Sequence, residues 1–282
     1  MIYFCADDYG ISTSSNTRIE ECLKNGVLNK ISILPNGNVS DFSELIFEEN
    51  VKLSLHLNLI EGSPLSKKED VSLLVTRNGF FKYSFVGLFF LSVFGNRNLL
   101  EKQIYNEIKA QIDFWKNKMG ENTPVLIDSH QHTHMIPLVF KTLMRVIKDE
   151  NVDVEYIRIP DEPILPYIKS LSLYLKYSPV GLAKQWLLKF LNFINRKEFK
   201  KSNIKSAAFM GILFSGQLSE DKINKLLPHY MNQNKNIEIV FHPGYLERGE
   251  SLIDGCQPSF EKFYYSKWRR IEYDTLLKFM KD

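Results

Sequence analysis

The sequence has few cysteines and little net charge, and each shortage excludes a class of protein. It has 282 residues and three cysteines, Cys5, Cys22 and Cys256. Their odd number and wide spacing argue against a disulfide framework and are typical of a reducing compartment. With 36 basic and 33 acidic residues, the formal net charge is only +3. This balance gives no electrostatic reason to expect nucleic acid as a partner.

Long apolar runs and several common catalytic motifs are also missing. No stretch reaches the roughly 18 uninterrupted apolar residues of a membrane-spanning helix. No basic leader precedes the strand-like residues that begin at Ile2, so we expect a cytoplasmic protein. The sequence lacks a glycine-rich phosphate loop and a Gly-x-Ser-x-Gly elbow. No repeat or linker divides residues 1–282, so we expect one domain; whether it forms a homodimer is left open.

Short apolar runs alternate with helical patterns along the chain. Seven runs predict strands: Ile2–Ala6, Ile31–Leu34, Val51–His56, Val125–Asp128, Val154–Ile159, Ala208–Leu213 and Ile237–Phe241. Strands that alternate with helices are typical of parallel βα units. Their number favours a closed or nearly closed barrel over an open sheet. We therefore predict the α/β class, as a distorted TIM-like (β/α) barrel of about seven strands with helical insertions.

The helical patterns carry start and stop signals. Ser12–Ser15 offer hydroxyls for the N-cap of a first helix, and Gly26 suits its end. A long amphipathic pattern over Leu99–Met119 ends at Gly120, and Pro137 suits the first turn of another helix. Three more helices are predicted, over Phe42–Glu49, from about Ser219 and from about Ser266.

Two apolar segments, about residues 80–98 and 165–201, do not fit a minimal barrel. The first contains the aromatic run Phe80–Phe94, and the second covers Tyr167–Lys201 with a basic end. One interpretation is a pair of extra helical insertions packed on the barrel, since apolar stripes usually face a core. The other is an apolar, basic-edged surface that rests on the inner face of a membrane or receives a lipid-linked substrate.

Five of the six histidines fall in three motifs, and each motif follows a predicted strand. The motifs are Leu55–Leu59, Asp128–His134 and Phe241–Tyr245, and a fourth motif, Ala6–Gly10, closes the first strand. Histidine and aspartate are costly to bury unpaired, and parallel strands end at one edge of a barrel. We therefore expect one convergent polar site, whose natural occupant is a divalent metal.

Taken singly, these residues have simpler explanations. Asp7 and Asp8 could cap the helix that follows, or both could face one cavity if Gly10 permits a turn. His56 alone is more often a core histidine, and His242 could belong to an ordinary turn. Arg158 could form a surface ion pair, or it could pair with a site carboxylate and hold it ionised.

The histidine-rich run is the most informative motif. Asp128, His130, His132 and His134 share one parity, so they would share a face if the strand continued. Three histidines on one face suit metal binding and proton transfer, and Asp128 could fix the tautomer of one of them. The alternative is a solvated, incidental turn.

Together the motifs resemble the YdjC/ChbG family of carbohydrate deacetylases, which is related to polysaccharide deacetylases. The resemblance rests on Ala6–Ser12, Leu55–Leu59 with Glu61-Gly62, Asp128–His134 and His242–Gly244, which occur in family order. It implies a distorted barrel and metal-dependent removal of acetyl from an N-acetylated amino sugar. Cys5 departs from the asparagine common in the family, and the apolar insertions leave the sugar and its carrier open.

The resemblance also implies roles for individual residues. One divalent ion, zinc or magnesium, would be held by Asp8, His56 and His130. Asp7 would be the general base, oriented by Arg158. His242 would be the general acid, with His132 or His134 as the competitor. Two alternatives remain: another metal-dependent amidase or esterase on the same barrel, and a non-catalytic sugar-binding protein.

Overall fold

The computed structural model describes residues 1–38, 42–46, 48, 50–174, 179–231 and 235–279. Its strands are β1 (Ile2–Tyr9), β2 (Lys30–Ile33), β3 (Lys52–Leu57), β4 (Val125–Ser129), β5 (Val154–Ile157), β6 (Ala208–Met210) and β7 (Ile237–Phe241). Its α-helices are α1 (Thr13–Asn25), α2 (Ser43–Ile46), α3 (Phe85–Phe94), α4 (Arg97–Met119), α5 (Pro137–Asp149), α6 (Leu165–Lys169), α7 (Leu171–Tyr174), α8 (Pro179–Lys201), α9 (Glu220–Met231), α10 (Pro258–Tyr264) and α11 (Lys267–Lys278). Two 3₁₀ helices cover Lys68–Val71 and His130–Met135.

The strands form one parallel sheet that curls into a barrel. Their order is β5-β4-β3-β2-β1-β7-β6, and every paired neighbour is parallel. The two edges meet because Ile157 N–H donates to the Lys205 carbonyl (3.0 Å) and Lys205 N–H donates to the Glu155 carbonyl (3.3 Å). The predicted distorted α/β barrel with seven strands is therefore confirmed.

The barrel wall is apolar on its outside and charged on its inside. Helices cover the outer surface, and strand residues such as Ile31 and Ile127 are fully buried there. The interior holds the charged side chains of Lys30, Asp128 and Glu238, and Lys30 contacts both carboxylates across the strands. Barrels of this type usually fill the interior with branched apolar residues. This one instead places a buried ionic network directly beneath the carboxyl ends of the strands.

Local signals account for several helix boundaries. Ser12 caps α1 because its Oγ accepts from the Ser15 N–H at 3.0 Å. Gly26 ends α1, and a Cβ there would lie 2.4 Å from the Leu276 carbonyl oxygen, so close packing requires glycine. Gly120 ends α4 with φ 99, which glycine adopts without strain.

Some predicted boundaries are wrong by a few residues. β1 continues to Tyr9, whereas β5 stops at Ile157 and β6 stops at Met210, before Gly211 with φ 146. The condition under which Asp128, His130, His132 and His134 would share a face is not met, because β4 ends at Ser129 and a 3₁₀ helix begins at His130. The helix predicted over 42–49 is too long, because α2 covers Ser43–Ile46 and residues 42 and 48 are not helical; residues 47 and 49 lie outside the described residues.

Both apolar insertions are helical and lie against the barrel on one side only. α3 buries Leu88, and α8 buries Leu188 and Leu191. Their opposite faces leave large apolar side chains exposed, for example Phe94 at 79% and Phe193 at 74%. Residues 175–178 of the second insertion lie outside the described residues. Among the described residues, no helix combines the length and apolar character that crossing a membrane requires.

Candidate active site

The four motifs meet in one cavity at the carboxyl ends of the strands. The cavity has a volume of about 670 Å³. Its lining includes six of the residues to which the sequence assigned site roles, namely Asp7, Asp8, His56, His130, His132 and His242, whereas Asp128, His134 and Arg158 do not line it. Arg158 lies just beneath, where its guanidinium contacts Asp7. Convergence follows from the topology, because parallel strands end at the same edge.

A break in β1 turns two successive aspartates toward this cavity. The pairing of β1 with β2 shifts between Ala6 and Tyr9, and Asp8 adopts φ 70. This left-handed conformation is strained for a residue other than glycine, and it interrupts the alternation of side chains along the strand. Strained backbone of this kind clusters at functional sites. Here it lets Asp7 and Asp8 line the same cavity.

Three potential metal ligands lie together, because two imidazoles approach one oxygen of the Asp8 carboxylate. Asp8 Oδ1 lies 2.7 Å from His130 Nδ1 and 3.4 Å from His56 Nε2. One ligand atom from each of these residues falls within a mutual distance of 4.8 Å. The second oxygen, Asp8 Oδ2, accepts from the Tyr264 hydroxyl at 2.6 Å. The carboxylate is thus oriented with one oxygen toward the two imidazoles.

The electrostatics of these three residues suit a cation. Burial by itself raises the pKa of Asp8, but His130, His56 and Arg269 outweigh it and hold that pKa well below its usual range. Burial lowers the pKa of His130, so this imidazole stays neutral near pH 7. A carboxylate and a neutral imidazole are the ligand forms that a divalent metal binds.

Asp128 supports His56 from behind. His56 Nδ1 lies 2.6 Å from Asp128 Oδ1, and both side chains are buried. Burial would lower the pKa of His56, but Asp7, Asp128 and Asp8 raise that pKa to about 10. Without a metal, therefore, His56 carries a proton that an incoming cation would displace. A carboxylate behind a ligand histidine is the arrangement that orients metal-binding imidazoles.

Arg158 holds Asp7 in a bidentate ion pair. Its Nη1 donates to Asp7 Oδ2 at 2.7 Å, and its Nη2 donates to Asp7 Oδ1 at 2.9 Å. Nη2 also lies 3.1 Å from Asp128 and 2.9 Å from Glu238. A second group of potential ligands, Cys5, Asp7 and Asp128, surrounds this guanidinium, which already supplies its positive charge.

Four buried carboxylates in and under the cavity lie among four cations. The carboxylates are Asp7, Asp8, Asp128 and Glu238; the cations are Lys30, Arg158, Arg269 and the protonated form of His56. Lys30 Nζ lies 2.6 Å from Glu238, whose other oxygen accepts from Tyr156 at 2.6 Å. Such pairing is what makes buried ions tolerable, since an unpaired one costs several kcal/mol.

The remaining histidines differ sharply in their surroundings. His242 lies at the rim with 17% of its side chain exposed, and its Nδ1 is 3.5 Å from Glu272 Oε2. His132 has a buried Nδ1 without a hydrogen-bond partner among the described residues, and burial and Arg158 lower its pKa. His134 points away from Asp8, because its Nε2 contacts the Arg158 carbonyl at 2.8 Å. Burial lowers the pKa of His134 to about 4, so it acts as a neutral support.

Sequence reasoning missed the supporting residues. Lys30 and Glu238 were visible as single charges within apolar strand patterns, which is a usable signal. Tyr264, Arg269 and Glu272 belong to α10 and α11, whose pattern looked like an ordinary C-terminal helix. Arg269 lies 3.4 Å from Asp8 Oδ2, and Glu272 accepts from the His242 N–H at 2.6 Å. Only the fold brings these helices to the site.

Aromatic side chains form one wall of the cavity. Phe260, Phe263 and Trp268 line it, and the Phe260 ring meets His130 edge-on at 4.7 Å. Glu61 lines it as well, and burial raises the pKa of its carboxyl to about 7. The cavity thus combines a charged floor with an apolar wall, a common composition for small-molecule sites.

Sequence comparison finds relatives over the whole chain. A family model described as YdjC-like protein matches residues 1–279. A carbohydrate deacetylase of Danio rerio is 25% identical, over 96% of this chain and 89% of its own. A carbohydrate deacetylase of Clostridium beijerinckii is 26% identical, over 86% and 80%. A chitooligosaccharide deacetylase of Citrobacter koseri is 29% identical, over 48% of this chain and 50% of its own.

Structural comparison supports the fold. A crystal structure from Enterococcus faecalis V583, whose protein is provisionally described as cleaving cellobiose-phosphate, superposes with a TM-score of 0.65. The match covers 98% of this chain and 90% of the other, at 18% sequence identity. At this identity the likeness concerns the barrel architecture alone.

Proposed function

Because this chain belongs to the YdjC-like protein family, we propose that it is a metal-dependent hydrolase that removes acetyl from N-acetylated amino sugars. The observation that carries the proposal is the Asp8–His56–His130 cluster beside the Asp7–Arg158 ion pair. The first group offers ligands for a cation, and the second offers a base. The names of the relatives supply the substrate class, since they are carbohydrate and chitooligosaccharide deacetylases.

Asp8, His56 and His130 would hold one divalent ion, and their donor set fits zinc or magnesium. One carboxylate and two imidazoles leave coordination positions open, as catalytic sites require. The imidazoles favour zinc on ligand softness, while the carboxylate keeps magnesium compatible. When bound, such an ion supplies Lewis acidity, which polarises an acetyl carbonyl and makes water a better nucleophile near neutral pH.

Asp7 is the residue that we assign as general base. Both of its oxygens accept from Arg158, and this bidentate contact fixes the direction of the carboxylate. It lines the cavity next to the proposed metal ligand Asp8, so water near that ligand is within its reach. Arg158 is accordingly a positioning residue.

His242 is the residue that we assign as general acid toward the departing amine. It lies at the partly exposed rim of the cavity, where an amine can leave, and Glu272 lies 3.5 Å from its Nδ1. His132 is the weaker candidate, because burial and then Arg158 lower its pKa and so disfavour a positive charge on it.

Acetate release is the experiment that tests this function. We expect acetate from N-acetylated amino sugars, loss of activity with EDTA, and recovery with zinc or magnesium. Asp7→Asn should keep metal binding and lose turnover, whereas Asp8→Asn should lose metal binding. Asp113→Asn, at a half-exposed surface carboxylate, is the matched control. Loss of metal from Asp7→Asn would mean that the two roles are exchanged.

Two alternatives predict different results in the same assay. Another amidase or esterase on this barrel would leave N-acetylated sugars intact but cleave other amides or esters in a metal-dependent way. A non-catalytic sugar-binding protein would bind sugar and release no acetate. Retention of a base, its arginine partner and a ligand cluster argues against the second alternative, because binding alone requires no base.

We further propose that the sugar is linked to a lipid, because apolar helices adjoin the cavity. The two apolar helices begin at the cavity, since Ser84 at the N-cap of α3 and Val180 of α8 both line it. A substrate whose sugar is linked to a lipid would find apolar surface beside the cavity. We expect such a substrate to be deacetylated with a higher kcat/KM than the same sugar in free form. Equal kcat/KM values for the lipid-linked and the free sugar would refute a lipid-linked substrate.

A further inference from the structure

The outer face of α8 is apolar, which reverses the usual pattern of a surface helix. Trp186, Phe190 and Phe193 are 62%, 57% and 74% exposed. They are spaced by three or four residues and therefore lie on one face. An ordinary amphipathic helix turns that face toward the core and shows charged residues to solvent.

The inner face of α8 is already occupied, so the barrel does not need the outer one. Leu188 and Leu191 are buried in the core. Asn195 Nδ2 donates to the Met135 carbonyl at 2.8 Å, and Gln185 Nε2 donates to the Glu162 carbonyl at 3.2 Å. These two hydrogen bonds fix the rotation of α8 about its own axis, so that its aromatic residues face outward.

The same face ends in positive charge. Lys197 and Lys201 continue the spacing that begins at Trp186, and both are exposed. Arg196 and Lys200 flank them, and Glu198 is the single acidic residue between 196 and 201. An apolar, tryptophan-containing face with lysines at one end is typical of helices that lie in the interface of an anionic membrane.

A second apolar stripe belongs to the other insertion. Val86, Phe90 and Phe94 on α3 are 55%, 53% and 79% exposed. Their spacing of four residues again puts them on one face. Both stripes belong to helices that begin at the cavity wall, since Ser84 and Val180 line the cavity.

We propose that the outer face of α8, defined here as Trp186, Phe190, Phe193, Lys197 and Lys201, docks on an anionic lipid bilayer. The aromatic rings enter the interface, and the lysines meet lipid phosphates. Such contact brings the cavity mouth to the level of the headgroups. The substrate that would reach the cavity at the membrane depends on the proposed function. The docking itself does not, because it requires no catalysis.

Vesicle co-sedimentation of the full chain tests the docking without any substrate. The probes are phosphatidylcholine vesicles with and without phosphatidylglycerol, at low and high salt. We expect binding to the anionic vesicles only, weakened by salt. Replacing Lys197, Lys200 and Lys201 by glutamine should weaken binding about fivefold for each lysine. The same change at Lys24, Lys102 and Lys118, which are exposed elsewhere, should have little effect.

A second variant tests the aromatic face. Serine at Trp186, Phe190 and Phe193 should abolish sedimentation with vesicles, while Met231→Ser, at an exposed apolar residue of α9, should leave it intact. Absence of binding by the wild type, or equal binding by the serine variant, overturns the proposal. So does a dimer that the serine variant converts to a monomer, because the face would then contact a second copy. Vesicle binding without acetate release from any sugar would refute the deacetylase and leave the docking standing.

Discussion

Replacing Arg158 with methionine should destabilise the protein strongly, because three buried carboxylates would lose the positive charge that compensates them. The guanidinium lies 2.7 Å from Asp7, 3.1 Å from Asp128 and 2.9 Å from Glu238, and all four side chains are at most 4% exposed. Methionine has similar length but no charge. Removing one member of a buried ionic group costs about 3–5 kcal/mol, since the remaining charges lose their compensation.

Urea denaturation measures this loss. For an m value of about 3 kcal/mol/M, the expected cost of about 3–5 kcal/mol lowers the urea midpoint by roughly 1–1.7 M. The control is Lys225→Met, which breaks an ion pair to Asp221 whose side chains are 47% and 66% exposed. An exposed pair of this kind contributes less than about 1 kcal/mol.

A double variant tests the cause. If uncompensated charge is responsible, adding Glu238→Gln to Arg158→Met should recover about 1–2 kcal/mol, because one stranded carboxylate is then neutral. The reasoning fails if Arg158→Met shifts the midpoint no more than Lys225→Met does. It also fails if the two buried substitutions are simply additive, since the coupling between their charges would then be absent.

Three further predictions concern the metal, pH and packing. Asp128→Asn should weaken zinc binding about 10–100-fold in calorimetry, because His56 loses the carboxylate that orients it; unchanged affinity would contradict this role. Burial raises the pKa of Glu61 from 4.5 to about 7, so the folded state favours the protonated carboxyl. In EDTA, the free energy of unfolding should therefore fall by up to about 3 kcal/mol as the pH rises from 4.5 to about 7. Glu61→Gln should abolish that dependence, and an identical slope would refute it. Gly26→Ala should lower thermal stability by about 1–3 kcal/mol, because the added Cβ would lie 2.4 Å from the Leu276 carbonyl oxygen.

The fold was predictable where burial dictated the pattern. Apolar runs covered by helices on one side stand out in a sequence, and the predicted Ile237–Phe241 coincides with β7. The ends of strands were harder, because local backbone geometry decides them. The histidine run illustrates this: Gln131 and His132 adopt φ 50 and 60, and the chain leaves the strand after Ser129. A parity argument cannot anticipate such a turn.

The site was predictable as a set of residue types but not as a geometry. Asp7, Asp8, His56, His130 and His242 follow strands, and that placement alone predicts one cluster. Which oxygen faces which nitrogen depends on the left-handed Asp8 and on the contacts behind it. Tyr264 and Arg269 come from more than 250 residues away along the chain. No local pattern marks them.

The sequence by itself determined the βα alternation, the motifs at the carboxyl ends of the strands and the residue types of the candidate active site, because periodicity and burial cost are local properties. Only the tertiary structure decided how the charges are paired. Closure of the barrel at Tyr156 and Lys205 encloses Lys30, Arg158 and Glu238 together, and this enclosure makes their mutual pairing necessary. The position of the apolar outer face of α8 was likewise decided by packing, since only the tertiary contacts show which side of the helix is buried and which side stays exposed.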